Sequence, residues 1–251
     1  MGSANIPERG DCMNIFLQVG DLTGFSFFLA SMALLAATVF FLLERRSVHR
    51  KWRLSLTIAT LITGIAALHY HYMKHAWLLS SASPTEIRYI DWLLTVPLMC
   101  IEFYLILRAL GGGSRHLLYR LLGYSIGMLL FGYLGETLLM DPLLGFGIGL
   151  AFWGLIIFEV FKGEAAKAME LSSHLMLKSS FKALRLFILL GWTIYPLGYY
   201  FGLSGGTELL NVAYNLADVI NKIGFSLVIY LLARSDTELN PSSAHCDCCN
   251  G

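Results

Sequence analysis

The chain has 251 residues, of which 56% are hydrophobic and only 14% charged, with a mean hydropathy of +0.63. A soluble domain carries nearer about a quarter charged residues, so that class is excluded. The formal net charge of +1 gives no bulk electrostatic case for binding nucleic acid.

Repeated apolar runs predict an all-α membrane protein, a bundle of seven transmembrane helices. Residues 1–21 show no basic region followed by an apolar core, so they read as an extracellular segment without a cleaved signal peptide. The sixth position also lacks the Ser or Thr of a myristoylation signal. Spans one and two cover residues 22–43 and 54–77, and the second carries HYHYMK (His69–Lys74). The third, residues 87–110, follows the breaker at Ser80–Pro84.

The third span holds RYIDWLLTVPLMCIEFYLIL, from Arg88 to Leu107. Asp91 and Thr95 are i, i+4 neighbours, and Glu102 lies about 16 Å beyond Asp91 on nearly the same face. Arg88, one turn outward, can neutralise the Asp91 carboxylate and keep it ionised. Glu102 has only apolar sequence neighbours, Ile101 and Phe103, which favours its protonated form. An acceptor on one side and a donor on the other make a directional proton relay. Carboxylates that merely bond neighbouring helices are the alternative.

The fourth and fifth spans, residues 117–139 and 143–161, are separated by Asp141–Pro142. The longest connection, residues 162–180, is partly amphipathic and is expected to extend its flanking helices into water. The sixth span covers residues 183–203 and the seventh 209–232, with Gly205–Gly206 between them. In the seventh, Asp218 and Lys222 are i, i+4 partners in an otherwise apolar run. At this point two readings stand: a structural ion pair, or a desolvated lysine suited to forming a Schiff base.

The short connections and the lack of an internal repeat predict one helical domain, residues 22–234, and a disordered cytoplasmic tail, residues 235–251. Cys12, Cys100, Cys246, Cys248 and Cys249 make no disulfide framework, and the tail spacing around His245 matches no strong zinc pattern, so no metal site is expected. Lys and Arg cluster between spans one and two (Arg45, Arg46, Arg50, Lys51, Arg53), three and four, and five and six. The opposite side carries Asp11, Asp21, Glu136, Asp141 and Glu208. The positive-inside rule then puts the N-terminus outside and the C-terminus in the cytoplasm.

RYIDWLLTVPL in span three, GWTIYP (Gly191–Pro196) in span six and YNLADVINK (Tyr214–Lys222) in span seven, together with HYHYMK and FGYLGE (Phe131–Glu136), resemble a microbial (type 1) rhodopsin of the proteorhodopsin group. The likeness runs in one register from about residue 20 to 232. It implies all-trans retinal on Lys222 as a protonated Schiff base, Asp91 as primary counterion and proton acceptor, and Asp218 as second counterion. Thr95 would hydrogen-bond near Asp91, and Glu102 would be the cytoplasmic proton donor. Asp91, Thr95 and Glu102 match the outward proton-pump signature and depart from the sodium- and chloride-pump patterns. His69 matches a histidine that bonds the acceptor carboxylate and sets the pH range of pumping. Glu136 matches a position near the release side.

The same resemblance makes Trp92, Trp153, Trp192 and Tyr195 the walls of a retinal slot, with Met128, Pro196 and Tyr214 alongside. Met99 occupies the colour-tuning position, where an apolar residue goes with green absorption. A pentamer or hexamer in the prokaryotic inner membrane is implied, although Phe28 replaces a Trp that relatives place against this histidine across a subunit boundary. Phe146 stands where carotenoid-binding relatives have a Gly, so no carotenoid antenna is expected. The rival reading is a sensory rhodopsin that signals through a partner. Glu102 and the lack of a signalling domain after span seven count against it.

Overall fold

A computed structural model describes residues 16–109, 112–170, 175–203 and 206–239. Cys12 and the tail positions His245, Cys246, Cys248 and Cys249 lie outside these. The elements are α1 (Leu22–Glu44), α2 (Arg53–Ser80), α3 (Thr85–Ala109), α4 (Arg115–Glu136), α5 (Pro142–Phe161), α6 (Glu164–Glu170), α7 (Leu175–Leu186), α8 (Ile194–Leu203), α9 (Thr207–Asp218) and α10 (Gly224–Leu239). A π-helical turn, Phe187–Gly191, continues α7, and another, Val219–Ile223, joins α9 to α10. Among the described residues, seven spans are thus long and apolar enough to cross a membrane. Each of the first five packs on the next, α8 packs on α5 and α9, and α9 returns to α1, which closes the ring.

Polarity runs inside out. Leu29, Leu68, Leu93, Leu130 and Phe158 are exposed on the outer surface, whereas Arg88, Asp91, Glu102, Asp218 and Lys222 are all 0–1% exposed. An apolar exterior around buried charges is stable only where the solvent is hydrocarbon. The chain is a multi-pass membrane protein.

Local chemistry explains the helix ends. The Asp21 carboxylate accepts from the Gly24 N–H at 2.8 Å and caps α1. It also accepts from Trp77 Nε1 at 3.1 Å, tying α1 to α2. Asp141 caps α5 through the Leu144 N–H at 2.9 Å, with Pro142 in the first turn. The fourth span ends at Glu136, three residues before the sequence-based limit. There the chain turns through Leu138 in the left-handed region (φ 60°), and the Met140 N–H closes back on the Leu134 carbonyl.

The basic end is stapled by polar contacts. Trp52 Nε1 donates to Asp236 at 2.8 Å and Lys51 pairs with the same oxygen at 2.6 Å, fixing the first connection to α10; residues 235–239, expected to begin a disordered tail, thus continue the last helix. Arg120 pairs with Glu159 and with Glu164, each at 2.9 Å, so α4, α5 and α6 are held together. As expected for residues 162–180, α6 and α7 prolong the neighbouring spans beyond their apolar runs.

Candidate functional site

Lys222 lies in the π-turn that joins α9 to α10, and its nitrogen faces the middle of the bundle. A π-turn adds a residue to the helix and re-aims the side chains in it, which is why such turns recur at functional sites. The Lys222 nitrogen donates to Asp91 from α3 and to Asp218, one turn earlier on its own helix, at 2.8 Å. Two carboxylates therefore flank one cationic nitrogen within the bundle.

Their surroundings differ. Asp218 also accepts from Tyr70 at 2.9 Å, from Trp92 Nε1 at 3.1 Å and from Tyr195 at 2.6 Å. Its negative charge is thus satisfied by three neutral donors from three helices. Asp91 has one oxygen on Lys222, while the other has no hydrogen-bond partner and lies 3.6 Å from His69 Nδ1. His69 Nδ1 is 2.9 Å from the Ile65 carbonyl, so the His69–Asp91 contact is the longer of the two. The Thr95 hydroxyl donates to the Asp91 backbone carbonyl at 2.9 Å, which ties it to the Asp91 turn and not to the carboxylate.

Arg88 differs from the expectation that it neutralises Asp91. Its guanidinium donates to Asn211 at 2.9 Å and to Asn215 at 3.1 Å, and it lies 5.0 Å from the Tyr214 ring centre. Among the described residues it forms no ion pair. The reason is reach: the side chain extends away from Asp91 toward the acidic end, where the asparagines of α9 receive it. Further that way, Thr85 and Tyr89 bond Glu136, at 3.5 and 2.9 Å, and Ser83 links Thr85 to Asn211. Glu102, about three turns in the other direction, is fully buried, and among the described residues neither carboxyl oxygen has a partner.

An apolar slot with a cavity volume of about 100 Å³ starts at Lys222. Trp92, Met99, Met128, Trp153, Trp192, Tyr195, Pro196 and Tyr214 all line it. So the structure brings together every binding residue expected from sequence. Trp153 is fixed by its bond to the Ile188 carbonyl at 3.1 Å, and Trp92 stands edge-on to both Tyr195 and Tyr214. Sequence reasoning missed Tyr89, Val96, Leu129, Gly132, Gly149, Leu150 and Tyr199 as lining residues. Phe146 forms part of the wall and stacks on Tyr199 at 5.1 Å.

Asn221 was missed as well. It donates to the Gly191 carbonyl at 3.0 Å and so links the two π-turns beside the slot. A Cβ on Gly191 would meet Asn221 Oδ1 at 1.9 Å, so the position admits only glycine without rearrangement. Helical spacing did hold a signal for Asn211 and Asn215, which share a face with Asp218 and Lys222.

The arrangement is a buried amine between two unlike carboxylates, opening on a flat aromatic cleft. The sequence profile described as "Bacteriorhodopsin-like protein" matches residues 21–235. The chain belongs to this family. Within it, the chain is 47% identical over 225 residues to the green-light absorbing proteorhodopsin of Gamma-proteobacterium EBAC31A08, covering 88% of this chain and 90% of that one. It is 46% identical over 226 residues to the blue-light absorbing proteorhodopsin of Gamma-proteobacterium Hot 75m4, with the same coverage. Among solved structures, xanthorhodopsin, titled a light-driven ion pump with dual chromophore, superposes with a TM-score of 0.78 at 26% identity. That match covers 90% of this chain and 98% of the other.

Proposed function

We propose that this protein is a light-driven outward proton pump that carries all-trans retinal on Lys222 and absorbs green light. The observation that carries the proposal is the Lys222 nitrogen, held between Asp91 and Asp218 at the head of the aromatic slot. The residues present fit the group: a flat apolar cleft for the polyene, one buried primary amine for the linkage, and two carboxylates for the positive charge that the linkage carries. When bound, retinal supplies absorption of a photon and a change from all-trans to 13-cis that releases a proton from the nitrogen.

The chain's own residues give that proton a direction. Asp91 receives it, because its carboxylate has few other donors, whereas Asp218 is saturated by Tyr70, Trp92 and Tyr195 and stays an anion. Glu102, buried with no cation beside it, holds a proton in reserve and returns it to the Lys222 nitrogen from the basic end. His69 sets the range of pH in which Asp91 can accept. Glu136, bonded by Thr85 and Tyr89, receives the released proton toward the acidic end, while Arg88 stays a fixed positive charge between it and Asp91.

The basic end is assigned to the cytoplasm, the acidic end to the exterior and the chain to the prokaryotic inner membrane. Residues 22–234 form the retinal-binding domain, and the protein transports ions and does not convert substrates. An apolar Met99 in the slot wall supports green absorption, since it offers the positive nitrogen region no polar stabilisation in the ground state. Phe146, stacked on Tyr199, supports a closed wall without a carotenoid. Phe28 has no N–H to offer His69 across a subunit boundary, so a pentamer or hexamer would be held by other contacts.

All-trans retinal added to membranes holding the apoprotein is expected to generate a visible band that Lys222→Ala abolishes while the protein still accumulates. A band that survives this substitution contradicts the assignment.

A further inference from the structure

We propose that the Ser226 hydroxyl is a relay group for the proton that passes from Glu102 to the Lys222 nitrogen. The inference rests on the reading of Glu102 as donor and adds a residue that this reading does not require.

Ser226 lies on α10 one turn beyond Lys222, on the face that also carries Asp218, and is 1% exposed. A serine or threonine inside an apolar helix ordinarily donates to the carbonyl three or four residues earlier. Ser125 does so to Leu122 at 2.9 Å, Thr63 to Ala59 at 2.9 Å and Thr95 to Asp91 at 2.9 Å. Ser226 makes no such bond, and among the described residues its hydroxyl has no partner. A buried hydroxyl left in that state is unfavourable, so an apolar residue would be the more stable choice. The hydroxyl is therefore free to form a bond that is made and broken in use.

Its depth suits a relay. The third and seventh spans run in the same direction, since an even number of crossings separates them. Ser226 is about 6 Å beyond Lys222 along its helix, and Glu102 about 16 Å beyond Asp91 along α3. Ser226 thus stands between the levels of the donor and the acceptor nitrogen. Phe225 and Phe103, the chain neighbours of the two residues, line one small cavity together with Met99 and Trp192, so α10 and α3 approach each other at this depth. At the near end, the Asn221 side-chain oxygen is also buried without a partner.

The step balances. The Glu102 O–H bond breaks and its proton reaches Ser226 Oγ, through water where the gap exceeds one hydrogen bond. At the same time the proton already on Ser226 moves toward the Lys222 nitrogen. Glu102 is left as a carboxylate, Lys222 has gained one proton and Ser226 is unchanged.

The test compares Ser226→Ala, Ser226→Thr and Glu102→Gln in the full-length pigment. After a flash, return of the proton to Lys222 is followed by visible absorbance in H2O and D2O. In unilluminated protein, with and without retinal, the Glu102 C=O stretch is identified as the infrared band lost in Glu102→Gln. Ser226→Ala is expected to slow proton return about tenfold, the worth of one hydrogen bond, and to shift the Glu102 band, with Ser226→Thr restoring both. Slowing in Glu102→Gln with native rates and an unmoved band in Ser226→Ala would overturn the relay alone. Native rates in Glu102→Gln would instead remove Glu102 as donor, and the relay with it.

Discussion

Asp91 and Asp218 hold the Lys222 nitrogen from two helices, but only Asp218 is also bonded by Tyr70, Trp92 and Tyr195. The asymmetry separates a permanent counterion from one that can change charge. Asp91→Asn is therefore expected to leave a coloured protein, shift its absorption to the red by weakening the counter-charge, and abolish transport. Asp218→Asn removes the charge and turns one of the two acceptor oxygens into an NH2 donor facing the Tyr and Trp donors, and is expected to impair pigment assembly itself. Retinal titration of the two variants, followed by absorbance, separates the effects. Equal assembly in both would show that the extra bonds to Asp218 do not matter.

Glu102→Gln keeps the size and burial of the side chain but removes its proton. It is expected to slow return of the proton to Lys222 roughly 10²-fold, the lower range for loss of a general acid, with the dark spectrum unchanged. Flash photolysis at neutral pH gives the rate. An unaltered rate removes Glu102 as donor.

Met99 lines the slot and is 3% exposed, so a polar atom placed there would have little water to compete with. Met99→Gln is expected to move the absorption band toward the blue. An unshifted or red-shifted band in purified pigment would contradict the colour assignment.

Much of this site could be read from the chain because its residues repeat at helical spacing: Asp218 with Lys222, and Asp91 with Thr95 and Glu102. The span limits agreed with the structure to within a few residues where caps such as Asp21 and Asp141 mark them. The π-turns were not legible, since they follow from how the sixth and seventh spans press together, and no local motif announces Asn221 meeting Gly191. Tyr70 was hidden for a related reason. It follows His69 directly, yet the bundle turns it to Asp218 on the seventh span. Arg88 misled because one helical turn gives proximity to Asp91 but not the direction of a long side chain.

Gly191 tests the contact between the π-turns. A Cβ there would lie 1.9 Å from Asn221 Oδ1, so the Asn221 side chain must turn away and its bond to the Gly191 carbonyl is disturbed. Gly191→Ala is expected to cost about 2 kcal/mol and lower the temperature at which the pigment bleaches. The double variant Gly191→Ala with Asn221→Ala, which relieves the clash, is expected to recover part of it. No recovery would place the cost elsewhere.

At the basic end, Trp52 gives its N–H to Asp236 while its ring is almost wholly buried. Trp52→Phe keeps most of the ring and is expected to lower thermal stability by about 1 kcal/mol, with the absorption spectrum unchanged. Circular dichroism melting in detergent measures this. A spectral change would mean that the staple reaches the slot, contrary to its place near the membrane surface.

The most direct test of the central claim is the pH of an unbuffered suspension of cells making the protein with added retinal, recorded in light and dark, with and without a protonophore. Acidification in the light that the protonophore abolishes, and that is missing in Asp91→Asn, is the result expected of an outward proton pump. Coloured cells whose medium does not change pH would contradict pumping and favour a sensory protein, and colourless cells would contradict the role given to Lys222.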